Sequence, residues 1–166
     1  MPSRIEHRAE FTAPAKAVHA AFVDKAFLDA RLAELGGTGA RLLDHTSGAE
    51  RTSFTLRQGV PADKLPSAAR ALIKGDLVVE RTETWWPAAA GFAGETTAAV
   101  TGVPGSIKGV FALVDSGAGS TWTTSGEVTV RVPLVGGKIE KTIAEQVVKL
   151  LAAEAGFTAA WLAERA

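Results

Sequence analysis

The stretch TWTTSGEVTVRV, Thr121 to Val132, and the run from Gly137 to Glu164 that follows it decide the fold. In the first, Trp122, Thr124, Gly126, Val128, Val130 and Val132 fall on one side, and Glu127, Thr129 and Arg131 on the other. That two-residue period belongs to a strand with one face buried and one wet. In the second, Ile139, Ile143, Val147, Leu150, Leu151, Phe157, Trp161 and Leu162 cluster at ~100° per residue, with Lys138, Glu145 and Lys149 opposite. This predicts one long amphipathic helix, spanning on the order of 40 Å at ~1.5 Å per residue. Its basic and acidic charges are nearly balanced, so it does not read as a basic membrane-surface helix.

Upstream of this pair the chain is mostly strand. Leu77 to Trp86, Phe92 to Thr101 and Ser106 to Val114 alternate in the same way, punctuated by Gly91, Pro104-Gly105 and the small-residue cluster from Ser116 to Gly119. Gly109 and Gly126 fall inside strands, where glycine marks a bend or bulge in a curved sheet. Ala40 to His45 and Arg51 to Gly59 read as a hairpin around Ser47-Gly48, and Pro61 to Lys74 as a loop with one short helix. At the start, Arg4 to Phe11 is a strand with Ile5, His7, Ala9 and Phe11 on its inner face. Pro14 suits the first turn of a helix carrying Val18 and Phe22. Asp24 caps a second helix, with Phe27, Leu28, Leu32 and Leu35, that stops at Gly36-Gly37. The expected class is α+β: a curved, seven-stranded antiparallel sheet around a long C-terminal helix, in one domain over residues 1–166.

Composition narrows the function classes. The chain has 166 residues, 46% of them apolar, enough to bury roughly 70% of its unfolded surface without staples. Its 18 basic and 18 acidic side chains cancel, which removes the usual electrostatic reason to expect nucleic acid or an anionic membrane as partner. Without cysteine, disulfides, thiolate metal sites and cysteine nucleophiles are excluded. No apolar run approaches the ~20 residues that cross a bilayer, and no secretory segment opens the chain, so a soluble, cytoplasmic protein without stable membrane insertion is expected. No residue pattern sets an oligomeric state.

The order strand, two short helices, six strands and long terminal helix resembles the helix-grip fold. This is the START-like and birch-pollen-allergen-like superfamily, also called SRPBCC or polyketide cyclase-like. The resemblance covers essentially the whole chain. Its most specific piece is PLVGGKIEK, Pro133 to Lys141, which looks like the turn from last strand to terminal helix in bacterial members; Ile5 to Pro14 and the Asp24 region match the opening. In closer detail the chain is similar to an uncharacterised actinobacterial branch, a domain of unknown function. The resemblance implies an apolar cavity between sheet and helix, and hence a hydrophobic small-molecule ligand such as a lipid, polyketide or isoprenoid fragment. Sheet residues His7, Trp85, Phe111, Trp122, Thr124 and Val128 are the expected ligand-binding side, with Ile143, Val147 and Leu151 as the lid; the large rings among them either line a pocket or merely fill it. Pro61 to Gly75 with Gly36 to Gly39 is the expected gate.

Catalytic motifs are thin. His7, His19 and His45 have no metal-ligand spacing, no Gly-x-Ser-x-Gly elbow occurs, and Gly136-Gly137-Lys138 is followed by Ile139 where a phosphate loop needs Ser or Thr. No cofactor, metal or catalytic residue is therefore assigned. His7 reads either as a core histidine bonded to a backbone carbonyl or as the proton-transfer group of a cyclase, aromatase or hydratase on the same scaffold. Glu154 lies within the apolar helix face, so it is either wet beyond the barrel rim or buried with a partner. Arg81 and Glu83 follow Leu77 and Val79 on one strand face, as an internal pair or an outer decoration. An interaction protein whose interior is filled is the remaining reading.

Overall fold

The computed structural model describes residues 2–61, 63, 67, 70 and 76–166. Strand β1 (Ser3–Phe11) leads into helices α1 (Ala15–Phe22) and α2 (Lys25–Leu35). Six strands follow: β2 (Arg41–Ser47), β3 (Thr52–Val60), β4 (Leu77–Ala88), β5 (Gly91–Val100), β6 (Gly105–Ser116) and β7 (Gly119–Val130). Helix α3 (Gly136–Glu164) closes the chain. All seven strands form one antiparallel sheet in the order β1-β7-β6-β5-β4-β3-β2. The expected meander is present, with β1 returned to pair along β7, so that His7 faces Thr124 across the ladder.

Local signals act as the sequence predicts. The Asp24 carboxylate accepts the Phe27 N–H at 3.2 Å and starts α2, which ends at Gly36. The turn beyond is pinned to the sheet by the Gly59 N–H donating to the Gly36 carbonyl at 2.7 Å. The expected gate at Pro61 to Gly75 falls mostly outside the described residues.

Helix α3 crosses the concave face and packs mainly against β1 and β7. Its start is fixed by Glu140, whose buried carboxylate accepts the Val130 N–H at 2.8 Å and so ties the first turns to the end of β7. Opposite glycines let the sheet bend: Gly109 and Gly126 pair across β6 and β7. A Cβ on Gly126 would come within 2.3 Å of the Lys108 carbonyl oxygen and 2.9 Å of the Gly109 Cα. The close approach requires glycine, and it removes two side chains from the concave wall.

The core is aromatic under α1 and α2. Trp85 stacks on Phe111 (5.0 Å, 4°), and Phe22 meets Trp122 (5.1 Å) and Trp85 (5.5 Å). Phe27 reaches across to Phe157 and Trp161 of α3. Among the described residues no helix is long and apolar enough to cross a membrane.

Candidate functional site

The concave face is not filled along its whole length. Beneath the N-terminal half of α3 lies a cavity of about 350 Å³. Its helix wall is Ile143, Val147, Leu150 and Leu151, with Thr142 and Gln146 beside them. Its sheet wall is Leu77, Val79, Ala98, Val100, Ile107 and Phe111, closed by Ile5, Thr124 and the Gly109–Gly126 pair. Five of the expected ligand-binding residues line it: Phe111, Thr124, Ile143, Val147 and Leu151. Four do not. Trp85 and Trp122 are 1% and 2% exposed and fill the neighbouring aromatic core, and Val128 borders only a narrow cleft next to the cavity. His7 sits off the cavity, its ring edge-on to Trp122 at 5.6 Å.

The inner end of the cavity is a buried charge cluster. The inward period of β4 carries Leu77 and Val79 into the cavity wall, then Arg81, Glu83 and Trp85 into the interior. Glu154, 0% exposed, projects from α3 to meet them. The Arg81 guanidinium donates Nη1–H to Glu154 Oε2 at 2.9 Å and Nη2–H to Oε1 at 3.0 Å, a bidentate pair. It also pairs with Glu83, whose other oxygen accepts the Trp85 Nε1–H at 3.2 Å. Arg31 of α2 approaches Glu154 at 3.7 Å, its Nε and Nη2 otherwise without hydrogen-bond acceptors. Gln58 borders the cavity at this end and, with the arginines, favours the charged form of Glu154.

Two cations and two carboxylates thus cancel inside a low-dielectric interior. Burial alone works to raise the Glu154 pKa; the charges of Arg31 and Arg81 and the hydrogen bonds overcome it and hold the carboxyl below its ordinary value. Burial opposes the Arg81 charge too, and Glu154 and Glu83 reverse this, so its pKa is raised. Arg31 has its pKa lowered by burial, against which Glu154 works. Both guanidinium groups stay protonated. Glu154 is therefore neither wet nor protonated, and Arg81 and Glu83 are an internal pair.

The histidines do not assemble an acid–base site. The His7 pKa is lowered by burial, partly offset by the Glu154 charge, and its Nδ1 has no hydrogen-bond partner; the backbone-bonded histidine is instead the half-buried His45, whose Nε2 pairs with the Val23 carbonyl at 2.7 Å. His19, also lowered by burial, stacks on Phe92 at 3.8 Å. Among the described residues no group of three or more His, Cys, Asp or Glu side chains could hold a metal ion.

Two residues of the site are not picked out by the sequence reading above. Arg31 comes four residues after Phe27 and one before Leu32, on the apolar side of α2, the same anomaly that singles out Glu154. Gln58 follows Phe54 and Leu56 at the inward two-residue period of β3.

Comparison with known proteins agrees with this architecture. The structure is similar to that of TTHA0849 from Thermus thermophilus (TM-score 0.61, 14% identity, 95% of this chain and 98% of that one). It is also similar to a START superfamily protein from Mycobacterium smegmatis (TM-score 0.56, 16% identity, 91% and 92%). Human STARD10 superposes with a TM-score of 0.57 at 12% identity over 93% of this chain, which spans 62% of that structure. At these identities the likeness establishes the fold, which is START-like and helix-grip. In sequence, the uncharacterized protein Rv0481c of Mycobacterium tuberculosis is 32% identical over 170 residues, 98% of each chain. Residues 6–162 match the profile of one family, and the chain accordingly belongs to the proteins of unknown function DUF2505.

Proposed function

We propose that this protein binds a small hydrophobic molecule in the cavity beneath α3 and sequesters or carries it. The observation that carries the reading is the cavity itself: about 350 Å³ walled largely by aliphatic side chains and Phe111. That is within the range of ligand pockets, which runs from roughly 300 to 1,000 Å³. At about 30 Å³ per water-sized group it accommodates roughly a dozen methylene-sized groups. A single short chain, or a polyketide or isoprenoid fragment, fits that volume; two acyl chains do not. The Arg81 guanidinium at the inner end is already neutralised by Glu154 and Glu83, so it does not call for an anion. An uncharged ligand, or one whose charge stays at the mouth, is the expected class.

Native mass spectrometry of the purified protein, with organic extraction of what is released, tests this directly. A stoichiometric hydrophobic adduct is expected, either as purified or after soaking in a lipid mixture. Val147→Trp places an indole in the cavity and is expected to abolish uptake while the protein stays folded. A protein that stays bare after soaking, or a folded Val147→Trp variant that takes up the same adduct, counts against the reading.

A further inference from the structure

The turn between β7 and α3 carries a residue that packing does not explain. Leu134 is 103% exposed, and its backbone is in the left-handed region at φ 70°. Glycine or asparagine takes that conformation at little cost, whereas a branched side chain is strained there. Neighbouring contacts already hold the turn without the leucine side chain. The Gly136 N–H donates to the Val132 carbonyl at 2.9 Å, the Val135 N–H to the Pro133 carbonyl at 2.8 Å, and Glu140 anchors the following turn. A leucine both strained and left in water has its compensation elsewhere.

The surroundings say where. The adjoining β5–β6 turn is tied to this one by the Arg131 N–H donating to the Pro104 carbonyl at 2.8 Å. Pro104, Pro133 and Leu134 are exposed, and Val103 and Val135 half-exposed, so the two turns form one apolar tip. Arg131, Lys138 and Lys141 are exposed around it. Of the nearby carboxylates, Glu140 is turned inward onto the Val130 N–H, Glu127 lies four residues before Arg131 on the outer face of β7, and Glu145 lies one turn beyond Lys141, so the three cations outnumber the exposed carboxylates at the tip itself. A chain of zero net charge thus has a locally cationic, apolar-tipped end. That end adjoins the cavity: the narrow cleft lined by Val103 and Val130 shares Val100 and Ile143 with the cavity wall.

We propose that the β7–α3 turn docks this protein reversibly on an anionic bilayer, with Leu134 inserted among the headgroups and Arg131, Lys138 and Lys141 against the lipid phosphates. Whole-chain neutrality, which argues against such a partner, averages over this local asymmetry. The contact is weak by construction. One leucine provides roughly a tenfold to hundredfold gain on burial, and each cation near an anionic surface about fivefold. Weak attachment suits a carrier that meets a membrane to exchange an apolar ligand and then leaves. Docking rests on the carrier reading only for that purpose, since attachment is measured without any cavity ligand.

Flotation with phosphatidylcholine vesicles, with and without phosphatidylglycerol, is the test. The full chain is expected to float with the anionic vesicles at low salt, and to release from them at high salt. Lys138→Glu with Lys141→Glu should lower the bound fraction by about tenfold or more. Leu134→Gly is the deciding variant. It should lower vesicle binding by about tenfold while raising the Tm by about 2 °C through relief of the left-handed strain. A leucine needed for packing would lose stability instead. The proposal is overturned by no flotation at low salt, by equal binding to neutral vesicles, or by a Leu134→Gly protein that binds as the parent does. A dimer split by Leu134→Gly would assign the tip to self-association and overturn it as well.

Discussion

The two halves of the interior are built to different rules. Under α1 and α2, large side chains leave no room: Phe27, Leu28 and Leu113 are 0% exposed, and Trp85 and Trp122 nearly so. Under the first half of α3, valines, isoleucines and paired glycines on the same sheet leave about 350 Å³ unfilled. The charge cluster of Arg31, Arg81, Glu83 and Glu154 lies at the inner end of the cavity and joins α2, β4 and α3. A curved sheet with one helix across it has more concave surface than the helix covers. In this chain α1 and α2 make up the difference at one end only. Tight packing is concentrated in the filled half, while the other stays hollow.

The largest expected effect comes from breaking the cluster. Glu154→Gln keeps the shape and leaves Arg31 and Arg81 with Glu83 as their only carboxylate. Removing one partner of a buried ion pair costs about 3–5 kcal/mol, because the remaining charge is stranded. The urea midpoint should fall accordingly. A loss under about 1 kcal/mol would mean that water reaches the site and the cluster is no dry partition.

Next is a matched pair of truncations. Leu113→Ala, in the filled half, should cost about 2–5 kcal/mol, the transfer and cavity terms together. Val147→Ala, whose methyl groups face empty volume, should cost under about 1 kcal/mol, since few packed neighbours are lost. Equal losses at the two sites would show that the hollow half closes in solution.

Acid should separate the contributions by pH. His7 and His19 have folded pKa values below the ordinary 6.5, with burial as the main cause. The unfolded chain therefore binds more protons as pH falls through that window, and stability present above about pH 6.5 declines below it. Glu154 is also lowered, from 4.5, so its contribution is intact above that value and is lost as pH falls through the folded pKa. Two successive declines in denaturation midpoint are expected. His19→Gln should make the first decline shallower, leaving the His7 part, and Glu154→Gln should remove the second while deepening the first, because the Glu154 charge partly offsets the lowering at His7.

How much of this was legible in the sequence follows from periodicity. Seven strands, two short helices and the long helix are all visible because one face of each is wet, as in β7, where buried Val128 and Val130 alternate with half-buried Glu127 and Thr129. Asp24 and Gly36 bound α2 for reasons of backbone chemistry that need no tertiary context. The site was legible only in part. Alternation shows that Trp85, Trp122 and Val128 point inward, but not which end of the concavity the short helices fill. That depends on where Phe22 and Phe27 land, a long-range property. Glu154 is anomalous on its helix face, and Arg31 equally so, yet the pairing of the two across 123 positions of chain needs the fold. Leu134 left no periodic trace at all, because a turn residue has no face to belong to.

The smallest predicted effect isolates environment from chemistry. Arg8 and Glu10 on β1 form the same kind of pair as Arg81 and Glu83 on β4, two residues apart on one strand face. The side chains of Arg8 and Glu10 are 66% and 69% exposed, those of Arg81 and Glu83 9% and 4%. On the convex face both charges keep their water, the attraction is screened, and ordering two long side chains offsets most of the gain. Arg8→Ala should therefore shift stability by less than about 0.5 kcal/mol. Inside, the same two residue types in the same spacing help support a partition whose loss costs several times more. A large effect at Arg8 would mean that the β1 edge is covered in solution, and that the convex face is not the wet surface its alternation describes.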